Sequence, residues 1–310
     1  MKPTKIPQGL TTTKAPFIEN ARENGHLFID QPYELYNEDN QTAWKQLYAL
    51  LLPQWKKFAN STFLEGIETL CLKPDRIPTL DEVNTFLEPL TGFKAKGVSG
   101  YVPTFHFFDS LKMREFPTTI TIRDSRTLHY LPEPDIFHDI AGHVPMHTNK
   151  AFADVLVKFG SLAEIAAKRH THITDPEIRN RKTTSNIQAL ARFFWFTIEF
   201  GLMREKGNLC VYGSGLLSSS AEIEHAALSP EVQRVSFQLD WVINQSFEID
   251  RFQPLLFVVE SFDHLYDEVE RLERWLHNGQ LDNVAPGEPG IGEEDLKTFI
   301  MHGKKDTDTK

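Results

Sequence analysis

The run "PEPDIFHDIAGHVP", residues 132–145, carries two histidines that could bind a metal ion. His138 and His143 offer neutral imidazole nitrogens, which zinc, copper, nickel and iron all accept as ligands. A zinc-protease helix spaces its two histidines by four residues and places a glutamate directly after the first. Here the spacing is five, and Asp139 follows the first histidine. The pattern therefore disfavours a zinc hydrolase and favours a metal site of another kind.

Two imidazoles need a third donor, and the candidate is Glu199 in the run "ARFFWFTIEFGL". Two histidines and one carboxylate make the facial triad that binds Fe(II) and leaves positions open for oxygen and a cosubstrate. The rest of this run is apolar, and a buried carboxylate is costly unless it is paired or bound to a metal. A glutamate at the helix edge that reaches solvent or an arginine is the alternative, and composition does not decide between them.

The helix that positions the two histidines cannot be regular throughout. Residues five apart lie about 140° around the axis of an α-helix, so His138 and His143 cannot share one face of it. We expect a helix over 134–142 that begins at Pro134 and ends or loosens at Gly142, so that His143 turns inward.

Apolar periodicity and capping residues predict the other elements. The polar run "AKRHTHITDPEIRNRKTTSN" is predicted to be a loop, and Pro53 is predicted to kink or break the first long helix. The predicted helices are 41–62, 62–71, 79–90 with Thr79 as its N-cap, 150–169, 185–205 and 261–277, and the predicted strands are 116–124 and a stretch within 248–261.

Charge and cysteine content narrow the partners and the compartment. A net charge of −10 disfavours binding to nucleic acids or anionic membranes, because their phosphates repel it. Cys71 and Cys210 are far apart and unaccompanied, so we expect neither a disulfide framework nor a cysteine zinc site. No apolar stretch is long enough for a signal peptide or a membrane span, and we expect a cytoplasmic protein.

Three runs, "PEPDIFHDIAGHVP", "WFTIEFGL" and "YGSGLLSSSAEI", resemble in order and spacing the catalytic domain of the pterin-dependent aromatic amino acid hydroxylases, and within that family the short bacterial phenylalanine 4-hydroxylases. The resemblance runs from about Trp44 to Ser261. It implies a mainly α fold with a few short β-strands, a helical basket around a mononuclear iron held by His138, His143 and Glu199. It also implies an enzyme that hydroxylates a free aromatic amino acid with Fe(II), tetrahydrobiopterin or a related tetrahydropterin, and O2. The conversion of phenylalanine to tyrosine is the first choice.

The resemblance also assigns side chains around the iron. Arg123 is implied to grip the substrate carboxylate, although an ion pair with Asp124 or Asp135 is the alternative, and Ser218 could equally be a helix cap. The substrate contacts implied are Arg123, Pro132, Trp195, Phe200 and Ser218. The pterin contacts implied are Gly100, Tyr101, Val102, Thr104, Phe107, Ala191 and Phe194. Supporting roles behind the ligands are implied for Asp139, Tyr130 and Glu222.

Three positions depart from the family pattern. Asp139 stands where a glutamate is usual, Phe194 where a tyrosine is common, and Leu131 where the animal enzymes have a threonine. These departures bear on substrate choice and on the position of hydroxylation, so tryptophan hydroxylation and meta-hydroxylation of phenylalanine remain alternatives. A non-catalytic amino-acid or pterin sensor and a zinc hydrolase are the alternatives of other classes.

The resemblance suggests how the chain is divided. We expect an irregular N-terminal arm over 1–40, a single catalytic domain over 41–278 and a mobile polar C-terminal tail over 279–310. Neither a preceding regulatory domain nor a following heptad helix of the animal enzymes is visible, so we expect a monomer. Its partners are expected to be the amino acid and the pterin, with no nucleic acid and no membrane.

Overall fold

A computed structural model describes residues 9–128 and 134–305. The α-helices are α1 (Pro16–Glu23), α2 (Glu38–Phe58), α3 (Ser61–Thr69), α4 (Leu80–Thr91), α5 (Thr104–Lys112), α6 (Val144–His147), α7 (Lys150–Arg169), α8 (Pro176–Phe194), α9 (Ser214–Leu217), α10 (Ser220–Leu228), α11 (Leu239–Val242), α12 (Phe262–Asn278) and α13 (Glu293–Lys305). The strands are β1 (Lys94–Val98), β2 (Glu115–Thr119), β3 (Leu202–Glu205), β4 (Asn208–Val211), β5 (Gln233–Ser236) and β6 (Leu255–Val259). The prediction of a mainly α fold with a few short strands is confirmed.

Three further helical segments among the described residues are not α-helical. Tyr33–Leu35 is a short 3-10 helix, whereas His138–His143 and Trp195–Glu199 are π-helical. The chain divides into two compact units. The first takes its residues from Met1–Val102, Glu115–Lys150 and Ser214–Ala227, and the second from Pro103–Arg114, Ala151–Gly213 and Leu228–Lys310. The domain boundaries expected from sequence remain predictions.

In the first unit, α2 continues through Pro53, so of the two predicted effects the break is wrong and the kink stays a prediction. Leu51 and Trp55, on either side of the proline, are fully buried. The Trp55 indole Nε1 donates a hydrogen bond of 2.7 Å to the carbonyl of Leu217, which anchors the far end of the helix. Burial along one face therefore outweighs the backbone hydrogen bond that the proline removes.

The N-cap predicted at Thr79 is confirmed. Its hydroxyl accepts from the backbone N–H of Glu82, whose carboxylate accepts from the Thr79 N–H, so the two form a capping box at the start of α4. The following strand β1 pairs in parallel with β2.

Strand β2 ends at Thr119, five residues short of the predicted strand over 116–124. Beyond it the backbone groups bond outside the ladder. The Ile120 carbonyl accepts from the Tyr36 hydroxyl, the Ile122 N–H donates to Leu10, and the Thr121 carbonyl accepts from Ile136. These hydrogen bonds take the place of strand pairing after Thr119.

In the second unit, α8 begins at Pro176, so the polar run predicted to be a loop is helical over most of its length. The buried face of the helix is partly polar, which hides it from a search for apolar periodicity. Ser185 donates to the carbonyl of Leu281, and Asn186 donates to the carboxylate of Asp282. The Asp175 N-cap followed by Pro176 is the signal that identifies this helix start.

The remaining elements of the second unit include the sheet with strand order β4-β3-β6-β5 and the helices α12 and α13. The predicted tail over 279–310 missed α13, in which Phe299 is fully buried. In the same way, the arm predicted to be irregular contains α1. No helix among the described residues has both the length and the apolar character to cross a membrane.

Candidate metal and substrate site

The two sequence-predicted histidines converge on a π-helical turn. The Nε2 atoms of His138 and His143 lie 3.1 Å apart, close enough for one ion to bond both. The Val144 N–H donates to the carbonyl of Asp139, five residues earlier, as in a π-helix. The wider turn brings residues five apart onto one side, which a regular α-helix cannot do. The predicted irregularity of the helix is confirmed, but the predicted end before His143 is wrong, since α6 follows directly.

Gly142 has a packing role in this turn instead of ending the helix. A Cβ at this position would lie 3.0 Å from the carbonyl oxygen of Ser214 and 3.2 Å from the Cβ of Ser218. Glycine therefore lets Ser214, at the start of α9, and Ser218, directly after α9, lie close against the π-helical turn, where a larger residue would push them away by a few tenths of an ångström.

Ser218 orients His138. Its Oγ lies 2.8 Å from the Nδ1 of His138 and donates to the carbonyl of Gly215 at 3.3 Å. A hydroxyl has one proton to donate. Because the Ser218 hydroxyl donates its proton to the Gly215 carbonyl, Oγ accepts from Nδ1–H of His138. The Nε2 lone pair of His138 is then left for a metal. This arrangement fits a divalent ion bound by neutral imidazoles.

Asp139 lies with the two histidines in a cluster whose ligand atoms are all within 4.8 Å of one another. Its Oδ2 accepts a 2.6 Å hydrogen bond from the backbone N–H of Thr119. Burial raises the pKa of Asp139 to about 7, opposed by His143 and the Thr119 N–H. The carboxylate is thus tied to β2, in keeping with a supporting role.

Arg123 forms a buried, two-pronged ion pair with Asp135, one of the alternatives that the sequence left open. Nε lies 2.7 Å from Oδ2 and Nη2 lies 3.0 Å from Oδ1, while Nη1 donates to the carbonyl of Leu128. Burial opposes both charges, but the pairing outweighs it, raising the pKa of Arg123 and lowering that of Asp135. Three of the five guanidinium N–H groups are used within the described residues, so a carboxylate could still be bound.

The second π-helical segment carries the predicted substrate and ligand residues of the second unit. The Trp195 ring stacks on Phe247 at 4.0 Å and lies 4.5 Å from the Phe200 ring. Phe247 was not predicted, because it is a lone aromatic residue in a polar stretch with no signal of its own. Glu199 ends the segment, and a Cβ on Gly213 would come within 2.5 Å of its carbonyl oxygen.

Four of the predicted pterin residues, Thr104, Phe107, Ala191 and Phe194, lie in the second unit. The rings of Phe107 in α5 and Phe194 at the end of α8 meet edge to face at 5.6 Å. Ala191 lies one turn before Phe194 on α8. Thr104 begins α5, and the residues before it, Gly100, Tyr101 and Val102, lie in the loop after β1.

Two buried side chains of the first unit have polar atoms without a hydrogen-bond partner among the described residues. Glu222 is 2% exposed, and both of its carboxylate oxygens lack a partner among the described residues. Burial raises the pKa of Glu222 to about 7. His147 lies in no motif of the sequence. It is fully buried against the rings of Phe93 and Phe116, and both of its ring nitrogens lack a partner among the described residues. Burial, and secondly His143, lowers the pKa of His147 well below its ordinary value.

Some sequence-predicted residues are not placed. Tyr130, Leu131 and Pro132 lie outside the described residues. The metal, substrate and pterin roles of the described residues remain predictions. The geometry adds two observations in their support: the short distance between the His138 and His143 Nε2 atoms, and the hydrogen bond between His138 Nδ1 and the Ser218 hydroxyl.

Known proteins share both the sequence pattern and the fold of this chain. The family model for biopterin-dependent aromatic amino acid hydroxylases matches residues 29–279. The phenylalanine-4-hydroxylase of Chromobacterium violaceum is 35% identical over 239 residues, covering 77% of this chain and 75% of that protein. The phenylalanine-4-hydroxylase of Ralstonia nicotianae is 33% identical over an alignment of 318 positions, covering 98% of this chain and 96% of that protein. A crystal structure of the C. violaceum enzyme with iron(III) and oxidised 7,8-dihydrobiopterin matches with a TM-score of 0.73 at 33% identity, covering 86% of this chain and 91% of that one.

Proposed function

Since this chain belongs to the biopterin-dependent aromatic amino acid hydroxylases, we propose that it converts L-phenylalanine to L-tyrosine with Fe(II), a tetrahydropterin and O2. The observation that supports this most is the convergence of the His138 and His143 Nε2 atoms at 3.1 Å. Imidazole nitrogens held in this way suit a non-haem iron that keeps positions open for other ligands. The relatives of which this chain covers three quarters or more are phenylalanine-4-hydroxylases, which makes phenylalanine the first choice of substrate.

The iron would be held by His138, His143 and Glu199. Ser218 fixes the His138 ring through Nδ1, which keeps Nε2 unprotonated and aimed at the ion. Glu199 is the last residue of the second π-helical segment, and its carboxylate would be the oxygen donor that completes a set of two histidines and one carboxylate. When bound, the iron and the pterin together supply the activation of O2.

The amino acid would be oriented at both of its ends. Arg123, held rigid by Asp135, offers its remaining N–H groups to the substrate carboxylate. Trp195 and Phe200, with Phe247 behind Trp195, provide a flat apolar surface for the aromatic ring. Such a surface also excludes water from the reacting ring.

The pterin would stack on Phe107, whose ring is braced edge to face by Phe194. Ala191, a small residue on the same helix as Phe194, leaves room beside these rings. We assign the loop residues Gly100, Tyr101 and Val102, with Thr104, to the edge of the pterin, as the family resemblance implies.

We further propose a monomer that works in the cytoplasm and binds only small molecules. A net charge of −10 supports the absence of nucleic-acid and anionic-membrane partners. Light scattering coupled to size-exclusion chromatography tests the monomer, and a mass of twice 35.6 kDa would contradict it.

The test of the activity is an assay with protein loaded anaerobically with Fe(II). Tetrahydrobiopterin and O2 are supplied with phenylalanine, tyrosine and tryptophan in parallel, and the products are separated by chromatography. We expect tyrosine from phenylalanine as the main product, and the same yield from H172A, which removes a histidine in an exposed loop. A main product of meta-tyrosine or hydroxytryptophan would replace the proposed substrate, and turnover with Zn(II) alone would overturn the iron chemistry.

A further inference from the structure

Helix α13 lies outside residues 29–279, the part of the chain that matches the family model. It nevertheless packs firmly on α5 within the second unit. Phe299 is fully buried, and its ring meets that of Phe105 edge to face at 5.0 Å. The His302 ring lies 4.3 Å from the same Phe105 ring. A helix with no counterpart in the matched region is therefore docked on an element that carries a predicted pterin contact.

The polar contact between these helices lies at the first residue of α5. The Oδ1 atom of Asp295 accepts a 3.1 Å hydrogen bond from the backbone N–H of Thr104. The N-cap residue of α5 is Pro103, which has no side-chain acceptor, so the helix has no cap of its own. The first N–H groups of a helix lack partners inside the helix, and a carboxylate there also interacts favourably with the helix dipole. Asp295 thus supplies from α13 the cap that α5 lacks.

This cap lies one turn before Phe107. The Phe107 N–H donates to the carbonyl of Pro103, so the first turn of α5 fixes the height and rotation of the Phe107 ring. Phe105 holds the opposite side of that turn against Phe299, and Phe194 contacts the Phe107 ring edge on. Loss of the cap would fray the turn that carries Phe107, while the apolar contacts of α13 would keep the helix docked.

We propose that Asp295 is a positioning residue for the pterin, acting through the first turn of α5. This inference rests on the proposed function, since it takes Phe107 as the pterin-stacking residue. It goes beyond that function by assigning a part in cofactor affinity to a helix that the matched region does not include. Its effect should fall on the pterin and spare the amino acid and the metal.

The test compares D295A with E294A and D295N. Glu294 is exposed in the same turn of α13, so E294A removes the same charge from the same helix end without touching the cap. D295N keeps a side-chain oxygen that can accept from Thr104. For D295A we expect the Kd for 7,8-dihydrobiopterin, measured by calorimetry on iron-loaded and on apo-protein, to rise roughly two- to thirtyfold, the range for the loss of a helix cap. The KM for tetrahydrobiopterin should rise with it, while the KM for phenylalanine and kcat stay unchanged.

The outcomes separate the two proposals. Wild-type affinity in E294A, with D295N much closer to wild type than D295A is, supports the positioning role. An unchanged pterin Kd in D295A, or equal losses in D295A and E294A, would overturn it. A rise in the KM for phenylalanine equal to that for the pterin would also overturn it, because a general loosening would act on both. If wild-type protein binds no dihydropterin and forms no tyrosine, the proposed function fails instead.

Discussion

The two π-helical segments of this chain hold their functional side chains by different means. In His138–His143 the predicted ligand His138 is held by hydrogen bonds: its Nδ1 lies against the Ser218 hydroxyl, and its backbone N–H donates to the carboxylate of Asp135. In Trp195–Glu199 the contacts are mostly apolar, and the Trp195 ring contacts the rings of Phe200 and Phe247. Both segments break helical regularity where a function is proposed, as π-helical turns often do.

This difference separates two tasks. Hydrogen bonds fix the direction of a lone pair, which a metal ligand needs, whereas stacked rings fix a surface, which an aromatic substrate needs. Glu199 is the exception, because it is a predicted ligand at the end of the apolar segment. Changes in the first segment should therefore act on the metal, and changes in the second on the substrate, except at Glu199.

The largest expected effect tests that exception. E199A should lower the affinity for Co(II) or Fe(II) more than about 100-fold, beyond the effect of residues that only support a ligand. D139N should cost less, since the Asp139 carboxylate already accepts from Thr119 and its amide oxygen can still do so. The affinities are measured by calorimetry on apo-protein, with E224A, an exposed glutamate on α10, as the control. Unchanged affinity in E199A with a large loss in D139N would assign the third ligand to Asp139 and confine the ion to the first segment.

The first segment was largely predictable because its chemistry is local in sequence. The spacing of His138 and His143, five residues apart between prolines, is enough to indicate a metal site and an irregular helix. The close packing of Gly142 against the backbone of Ser214 was not predictable, because Ser214 comes from a distant part of the chain. In the same way, the pairing of Arg123 with Asp135 was only one of two alternatives.

The second unit was harder to predict because packing there departs from simple patterns. Helix α8 buries Ser185 and Asn186 through hydrogen bonds to Leu281 and Asp282, so apolar periodicity failed. Phe247 contributes to the ring cluster from a polar stretch that carries no motif. Such residues are recognised only when the tertiary structure brings them together.

The second largest expected effect concerns the hydrogen bond that the Ser218 hydroxyl accepts from Nδ1–H of His138. S218A removes the group that fixes the His138 ring, and we expect the metal affinity to fall about 10- to 100-fold, as for other partners of ligating histidines. S219A is the matched control, because its hydroxyl accepts from the Glu222 N–H and not from a histidine. Calorimetry with Co(II) measures both. Equal affinities in S218A and wild type would show that the first segment does not depend on this hydrogen bond.

The smallest expected effect tests the apolar segment. W195F replaces the indole that stacks on Phe247 by a smaller ring, and it should raise the KM for phenylalanine roughly two- to tenfold, because aromatic pairs contribute about 0.5–1.5 kcal/mol beyond burial. The metal affinity should stay at the wild-type value, in contrast to S218A. W241F is the matched control. Trp195 donates to Gln253 and Trp241 donates to Gln245, but Trp241 is 38% exposed and contacts one phenylalanine ring edge on. A fall in metal affinity in W195F as large as that in S218A would contradict the division of tasks, because stacking in the second segment would then also direct a ligand. An unchanged KM with unchanged metal affinity would instead remove Trp195 from the substrate surface and leave its stack with Phe247 as part of the core.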